Sequence, residues 1–315
     1  MLTVLLMIIG FIILIKGADI FVDGASSLAN NFKVSKVLIG LTIVAFGTSA
    51  PEFAVSIKSM LAGSGDIVLG NVIGSNIFNA LLILGVASMV YPLTVKKDTT
   101  KKELPLVFLI TGIFCVLIAD TLFDKNAVNF FSRADGLVIC LFFTIFLYYL
   151  FSMAFKDKGL KQVEKPKYSL MKSALFTVFG IGAIIVGSNF VVDGATYIAQ
   201  LLGVSEKIIA LTIVAFGTSL PELVTSVVAS LKHEADIAVG NVIGSNIFNI
   251  CIVLGIPTLF FGGIPAVSFT YFDLFILLIS SFVIWLFTFR DYKISKKEGF
   301  VLLLIFVAYY GIMFF

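Results

Sequence analysis

Apolar residues run through this chain in blocks of about twenty or more, separated by short charged patches. At about 1.5 Å of rise per residue, a helix of that length crosses the roughly 30 Å hydrocarbon core of a bilayer. Ten spans are predicted, near 2–29, 36–62, 66–92, 104–121, 134–155, 170–200, 206–232, 236–260, 268–289 and 298–315. The first block lacks a basic start and carries Lys16, Asp19 and Asp23 where a cleavage region is small and neutral, so it is expected to stay in the mature protein. The expected fold class is therefore an all-α polytopic membrane protein.

Composition strengthens that reading. Of 315 residues, 59% are hydrophobic and 13% charged, which excludes an ordinary soluble enzyme or a nucleic-acid-binding domain. Cys115, Cys140 and Cys251 lie inside apolar stretches without metal-type spacing and read as small hydrophobes. The net charge of +3 matters less than its sidedness. Alternate loops collect 17 basic residues on one side: Lys33 and Lys36, the lysines of 96–102 and 156–172, Lys232, and Arg290 with Lys293, Lys296 and Lys297. The other side has four, Lys58, Lys125, Arg133 and Lys207. The richer side is expected to be cytoplasmic, in a cell membrane, with both termini outside. The longest connection, KDKGLKQVEKPK at 156–167, is then a solvated cytoplasmic linker.

The chain repeats itself at an offset of 170 residues. LTIVAFGTSAPE at 41–52 returns as LTIVAFGTSLPE at 211–222, and GNVIGSNIFN at 70–79 returns unchanged at 240–249. Two homologous halves follow, 1–155 and 170–315, joined by a linker at 156–169. Each holds five spans, an odd number, so the second half enters the membrane from the opposite side. Inverted repeats of this kind place a transport site at the midplane between halves.

Within 36–62, Pro51 deprives the Gly47 carbonyl of its helical partner, so the helix is expected to break and to free the carbonyls of Ala45 to Thr48 for a cation. Glu52 follows the break, and Glu222 is its mirrored copy. A carboxylate at bilayer depth costs at least about 2.5–3.5 kcal/mol, and the repeated motifs contain no Lys or Arg to compensate it. Ser49-x-x-Glu52 and Ser219-x-x-Glu222 also fit a capping box, as a second role for the glutamates. Ser75 with Asn79, and Ser245 with Asn249, share helix faces and join Thr48, Ser49, Thr218 and Ser219 as hard neutral oxygens. Two carboxylates among such oxygens suit Ca²⁺ or Na⁺. Gly70, Gly74 and their copies read as close-packing positions, while Asn71, Asn76, Asn241 and Asn246 either join the site or satisfy broken backbone. Outside the motifs, Asp23 and Asp193 fit snorkelling or capping as well as an ion path, Lys16 is expected to pair with Asp19, and His233 reads as a solvated loop residue.

These paired motifs resemble the alpha-repeats of the calcium/cation antiporter superfamily, closest to prokaryotic sodium/calcium exchangers, and the likeness covers essentially the whole chain. The resemblance implies ten helices, with the second, third, seventh and eighth forming a core past which the first and sixth slide. By motif position it implies cation-binding groups at Ala45, Thr48, Ser49, Glu52, Ser75 and Asn79, and at Ala215, Thr218, Ser219, Glu222, Ser245 and Asn249, with the alanines and threonines contributing chiefly carbonyl oxygens. One departure is Asn249, where some relatives, including the branch that co-transports K⁺, carry a carboxylate. The expected activity is antiport of Na⁺ against Ca²⁺ by alternating access, with those ions and the lipid bilayer as partners and no cofactor or enzymatic reaction. Ca²⁺/H⁺ exchange is the alternative; a cation channel ranks lower. An intramembrane aspartyl protease is a weaker match through GSGD at 63–66, whose mirrored position reads HEAD at 233–236.

Overall fold

The computed structural model describes residues 2–157, 165–203, 215–266 and 269–314, and the chain there is almost wholly helical. Helix α1 (Leu2–Phe32) leads into α2 (Lys36–Thr48) and α3 (Ala50–Leu61), which form one apolar span bent by 44°. Helix α4 (Gly65–Val90) contains a π-helical stretch at Phe78–Ile83. Next come α5 (Leu104–Leu117), the short α6 (Asp120–Phe123) and α7 (Arg133–Asp157). In the second half, α8 (Leu170–Leu201), α9 (Ala215–Thr218), α10 (Leu220–Leu231), α11 (Ala235–Phe261), α12 (Tyr271–Asp291) and α13 (Lys296–Phe314) follow. Six of these helices are long and apolar enough to cross a membrane, and seven spans result if the bent pair counts as one. The chain is a multi-pass, all-helical membrane protein. Residues 158–164 of the expected linker, and the segment 204–214 with Lys207, lie outside the described residues.

Local chemistry sets the helix limits. Ser35 caps α2 by accepting the Leu38 N–H, and Thr270 with Asp273 closes a capping box on α12. The span expected to run to 121 ends at Leu117, before the short α6 restarts at Asp120. His233 turns the connection into α11 with φ +60°, its ring edge-on to Tyr91 at 4.2 Å between centroids.

Helices α4 and α11 form the centre: 72% and 94% of their apolar windows are buried, against 28% for α1 and 17% for α7. They run antiparallel. Gly65 at the start of α4 abuts Ile264 beyond the end of α11, while Lys96 beyond α4 pairs with Asp236 at the start of α11 at 2.5 Å. Two short ribbons tie the halves at opposite ends. Strand β1 (Leu93–Thr94) pairs antiparallel with β4 (Lys293–Ile294), and β2 (Phe130–Phe131) with β3 (Ile264–Pro265).

Lys36, Lys96, Lys167 and Lys232, which the sequence places on one side, gather at one end of the bundle. Lys36 meets Glu234 at 2.9 Å, Lys167 meets Asp23 at 2.6 Å, and Lys232 meets both Asp19 (2.8 Å) and Asp23 (2.6 Å). Asp19 therefore pairs with Lys232 from another helix, not with Lys16, because the α10–α11 turn brings a second lysine against α1.

Helices α1 and α8 also run antiparallel, and glycines let their backbones touch. Gly10, Gly17 and Gly24 recur as Gly180, Gly187 and Gly194, each series spaced by seven residues, about two helical turns, and hence on one face. A methyl group on Gly187 would stand 2.6 Å from the Leu14 nitrogen and 2.8 Å from the Gly10 carbonyl oxygen. The motif glycines divide: Gly240 and Gly244 press on the Val37 and Leu41 carbonyls of α2, whereas Gly74 has open space and, with Gly70, lines a cavity.

Gly187→Ala is expected to destabilise the protein by about 1–3 kcal/mol, since backbone cannot yield to the new methyl. Gly182→Ala, on the same helix but with nothing within 4 Å, is expected to be neutral or slightly stabilising. Thermal unfolding of the two variants in one detergent checks this, and equal Tm values would contradict it.

Candidate cation site

Both breaks in the core helices have the same form. Ser49 sits between α2 and α3 with φ −84° and ψ 6°, and Ser219 between α9 and α10 with φ −90° and ψ 3°. A proline in the first turn, Pro51 or Pro221, starts the second half-helix, where a missing N–H costs nothing. Immediately after the prolines, in the same first turn, Glu52 and Glu222 are 1% and 0% exposed.

The serines do not cap their own helices. Ser49 Oγ donates to Glu222 Oε1 at 2.9 Å, and Ser219 Oγ donates to Glu52 Oε1 at 3.3 Å. The capping-box expectation is thus replaced by an exchange between halves, because the breaks face each other and each hydroxyl finds a charged acceptor opposite. Ser75 and Ser219 hydroxyls are hydrogen-bonded at 3.2 Å, and Ser245 reaches Glu222 Oε1 at 3.5 Å. The expected freeing of carbonyls is only partial: Ala45 O keeps the Ser49 N–H at 3.0 Å and faces the Thr48 hydroxyl at 3.3 Å. Thr218 is buried, and Ala215 opens α9.

Asparagines brace the backbone next to each glutamate. Asn71 donates to Glu52 O (3.1 Å) and Ser56 Oγ (3.3 Å), while Asn241 donates to Glu222 O (3.4 Å) and Ser226 Oγ (3.0 Å). Thr48 adds a bond to Asn241 Oδ1 at 3.0 Å. Ser56 and Ser226 are partners that the motifs alone do not mark, although they stand 170 apart and four residues after each glutamate.

The oxygens that remain matter most. Among the described residues, Glu52 Oε2, Glu222 Oε2, Asn79 Oδ1 and Asn249 Oδ1 are buried and have no hydrogen-bond partner. They form two pairs related by the repeat. Among the described residues neither glutamate enters an ion pair, and no group of three His, Cys, Asp or Glu side chains offers a transition-metal site. A buried unpaired carboxylate oxygen is costly, and a hard cation is the partner its chemistry fits. A largely apolar cavity of about 790 Å³, between the α1–α8 pair and the core, reaches Ser75 and Ser219. By contrast Asp66, of the GSGD sequence, stands exposed in the first turn of α4.

A family model described as "Sodium/calcium exchanger protein" matches residues 2–152 and 172–315. The chain is 37% identical to the putative antiporter CaxA of Alkalimonas amylolytica, over 98% of this chain and 97% of that one. It is 33% identical to the sodium/calcium exchanger MaX1 of Methanosarcina acetivorans, over 99% and 98%. A solved structure of the sodium-calcium exchanger NCX_Mj, soaked with Na⁺ and Sr²⁺, superposes with a TM-score of 0.86 at 34% identity, covering 98% of each chain.

Asn71→Ala and Asn241→Ala each remove two core hydrogen bonds, to a glutamate carbonyl and a serine hydroxyl, and are expected to cost about 1–3 kcal/mol. Adding Ser56→Ala to Asn71→Ala should cost less than the two single losses combined, because the pair shares one bond. Thermal unfolding of the four proteins checks the coupling; strict additivity would contradict the bracing role.

Proposed function

The chain belongs to the sodium/calcium exchanger protein family, and from that premise we propose that it moves Na⁺ and Ca²⁺ in opposite directions through the site between the two helix breaks. The observation that carries the proposal is the set of four buried, unpartnered oxygens, two from glutamates and two from amides, in repeat-related pairs. The proposed ligands are Thr48, Ser49, Glu52, Ser75 and Asn79 with their copies Thr218, Ser219, Glu222, Ser245 and Asn249, and the carbonyls of Ala45 and Ala215.

With both glutamates ionised the cluster carries two negative charges, which one Ca²⁺ or several Na⁺ neutralise. Both ions need the same oxygens, so one enters as the other leaves. The emptied cluster keeps its charge, and exposing that charge through hydrocarbon from one face to the other is costly. Exchange is therefore favoured over uncoupled return. Hydroxyl and amide oxygens favour Na⁺ as counter-ion over H⁺, which needs only the carboxylates.

The architecture we infer is ten spans in two inverted halves, 1–155 and 170–315, with 156–169 as a cytoplasmic linker and both termini outside. The antiparallel packing of the repeat mates α1 with α8 and α4 with α11 supports the inversion. The lysine-rich end supports the orientation.

The test is ⁴⁵Ca²⁺ uptake into proteoliposomes. An outward Na⁺ gradient is expected to drive uptake and a pH gradient alone is not, while Glu52→Gln and Glu222→Gln each reduce uptake to that of protein-free liposomes and remain folded. Normal uptake by either variant would remove that glutamate from the site, and uptake driven by pH alone would replace Na⁺ with H⁺.

Neutral Asn249 also bears on K⁺. One Ca²⁺ already balances Glu52 and Glu222, so K⁺ beside it would leave an uncompensated charge in the core. Na⁺-driven Ca²⁺ uptake is expected to persist when choline replaces K⁺ at fixed ionic strength and clamped potential; a strict K⁺ requirement would refute this.

A further inference from the structure

An amide can meet a cation with its oxygen or repel it with its NH₂, and the two ends differ only by a half-turn of the terminal torsion. Something must decide which end Asn79 and Asn249 present. The decision is traceable through four asparagines to two backbone carbonyls. Asn76 Nδ2 donates to the Asn246 carbonyl at 3.2 Å, and Asn246 Nδ2 donates to the Asn76 carbonyl at 3.4 Å. A carbonyl only accepts, so each of these amides must turn its nitrogen toward it. Their Oδ1 atoms then face the other way, where Asn249 Nδ2 donates to Asn76 Oδ1 at 3.1 Å and Asn79 Nδ2 donates to Asn246 Oδ1 at 3.0 Å. With their nitrogens engaged, Asn79 and Asn249 leave their own Oδ1 atoms unpartnered and buried.

We propose that Asn76 and Asn246 are positioning residues that fix the oxygen ends of Asn249 and Asn79 toward the cation, each acting on the ligand of the opposite half. The inference rests on the reading of Asn79 and Asn249 as ligands. It adds that neither half can orient its own amide: Asn76 from the first repeat sets Asn249 of the second, and Asn246 sets Asn79. The crossing follows from the hydrogen bonds. Asn76→Ala removes the acceptor of Asn249 but leaves the Asn76 carbonyl, so Asn246 and Asn79 stay oriented. Asn246→Ala does the reverse.

Aspartate supplies the test, because both of its ends are oxygens and its orientation needs no support. Ca²⁺ affinity is measured by equilibrium binding of ⁴⁵Ca²⁺ to purified full-length protein in detergent, without Na⁺. In the otherwise unchanged protein, Asn76→Ala and Asn246→Ala are each expected to weaken binding about tenfold or more, the scale of lost support behind a metal ligand. In an Asn249→Asp background, Asn76→Ala should have no further effect while Asn246→Ala keeps its full effect. In an Asn79→Asp background the pattern should reverse. A general packing defect would weaken binding equally in both backgrounds, and that result would overturn the proposal, as would wild-type affinity in both alanine variants. If an alanine variant does not give monodisperse protein, Asn76→Ser and Asn246→Ser run the same cycle. Absence of Ca²⁺ binding by the unmodified protein would instead remove the cation-site reading itself, and with it the positioning roles.

Discussion

Glu52 and Glu222 share one buried core in which, among the described residues, no lysine or arginine pairs with either, and the arrangement around them answers that electrostatic problem. Each glutamate has one oxygen held by a serine from the other half and one oxygen left without a partner. A protein selected only for stability would pair such groups internally or replace them with apolar residues. On the proposed reading the compensation is left to a cation, for which the helix breaks, the neutral hydroxyls and the oriented amides make room.

The same constraint explains why the two halves depend on each other. Ser49 belongs to the first repeat but serves Glu222, Ser219 serves Glu52, and the asparagine bonds cross in the same sense. Each glutamate thus takes a hydroxyl from the opposite repeat, and the Asn79 and Asn249 side chains each donate to an asparagine across the repeat boundary. The short ribbons at both ends and the glycine contacts between α1 and α8 also join one half to the other. On the proposed reading the repeated unit thus has no complete site, which forms only at the interface of the pair.

Much of this was legible in the sequence because repetition marks positions. The offset of 170 residues singled out both glutamates and the Ser/Asn pairs, and the apolar blocks located the described helices to within a few residues, the start of the block at 206–232 lying outside the described residues. What the sequence could not show was partnership across the repeat axis. Ser49-x-x-Glu52 has the spacing of a capping box, and only the facing of the two breaks turns each serine toward the opposite glutamate. Lys16 is three residues from Asp19 on one helix, yet Lys232, distant in sequence, reaches that carboxylate. Gly70 and Gly240 are identical in local sequence but differ in surroundings, one lining a cavity and the other pressed on backbone. Local pattern determines which elements form, whereas antiparallel packing of the halves determines which side chains meet.

The paired glutamates are proposed to form a cation site whose occupancy stabilises the folded state, and ligand-linked stability tests this most directly. A ligand that binds the folded state alone stabilises it by about 2.7 kcal/mol at a concentration one hundred times its Kd. Thermal unfolding of purified protein in detergent, titrated with Ca²⁺ against choline at constant ionic strength, should show a rising Tm. The double variant Glu52→Gln with Glu222→Gln should show none, while starting at least as stable as the ion-free unmodified protein, because its buried like charges are gone. An equal Ca²⁺ shift in both proteins, or none in the unmodified one, would contradict the account.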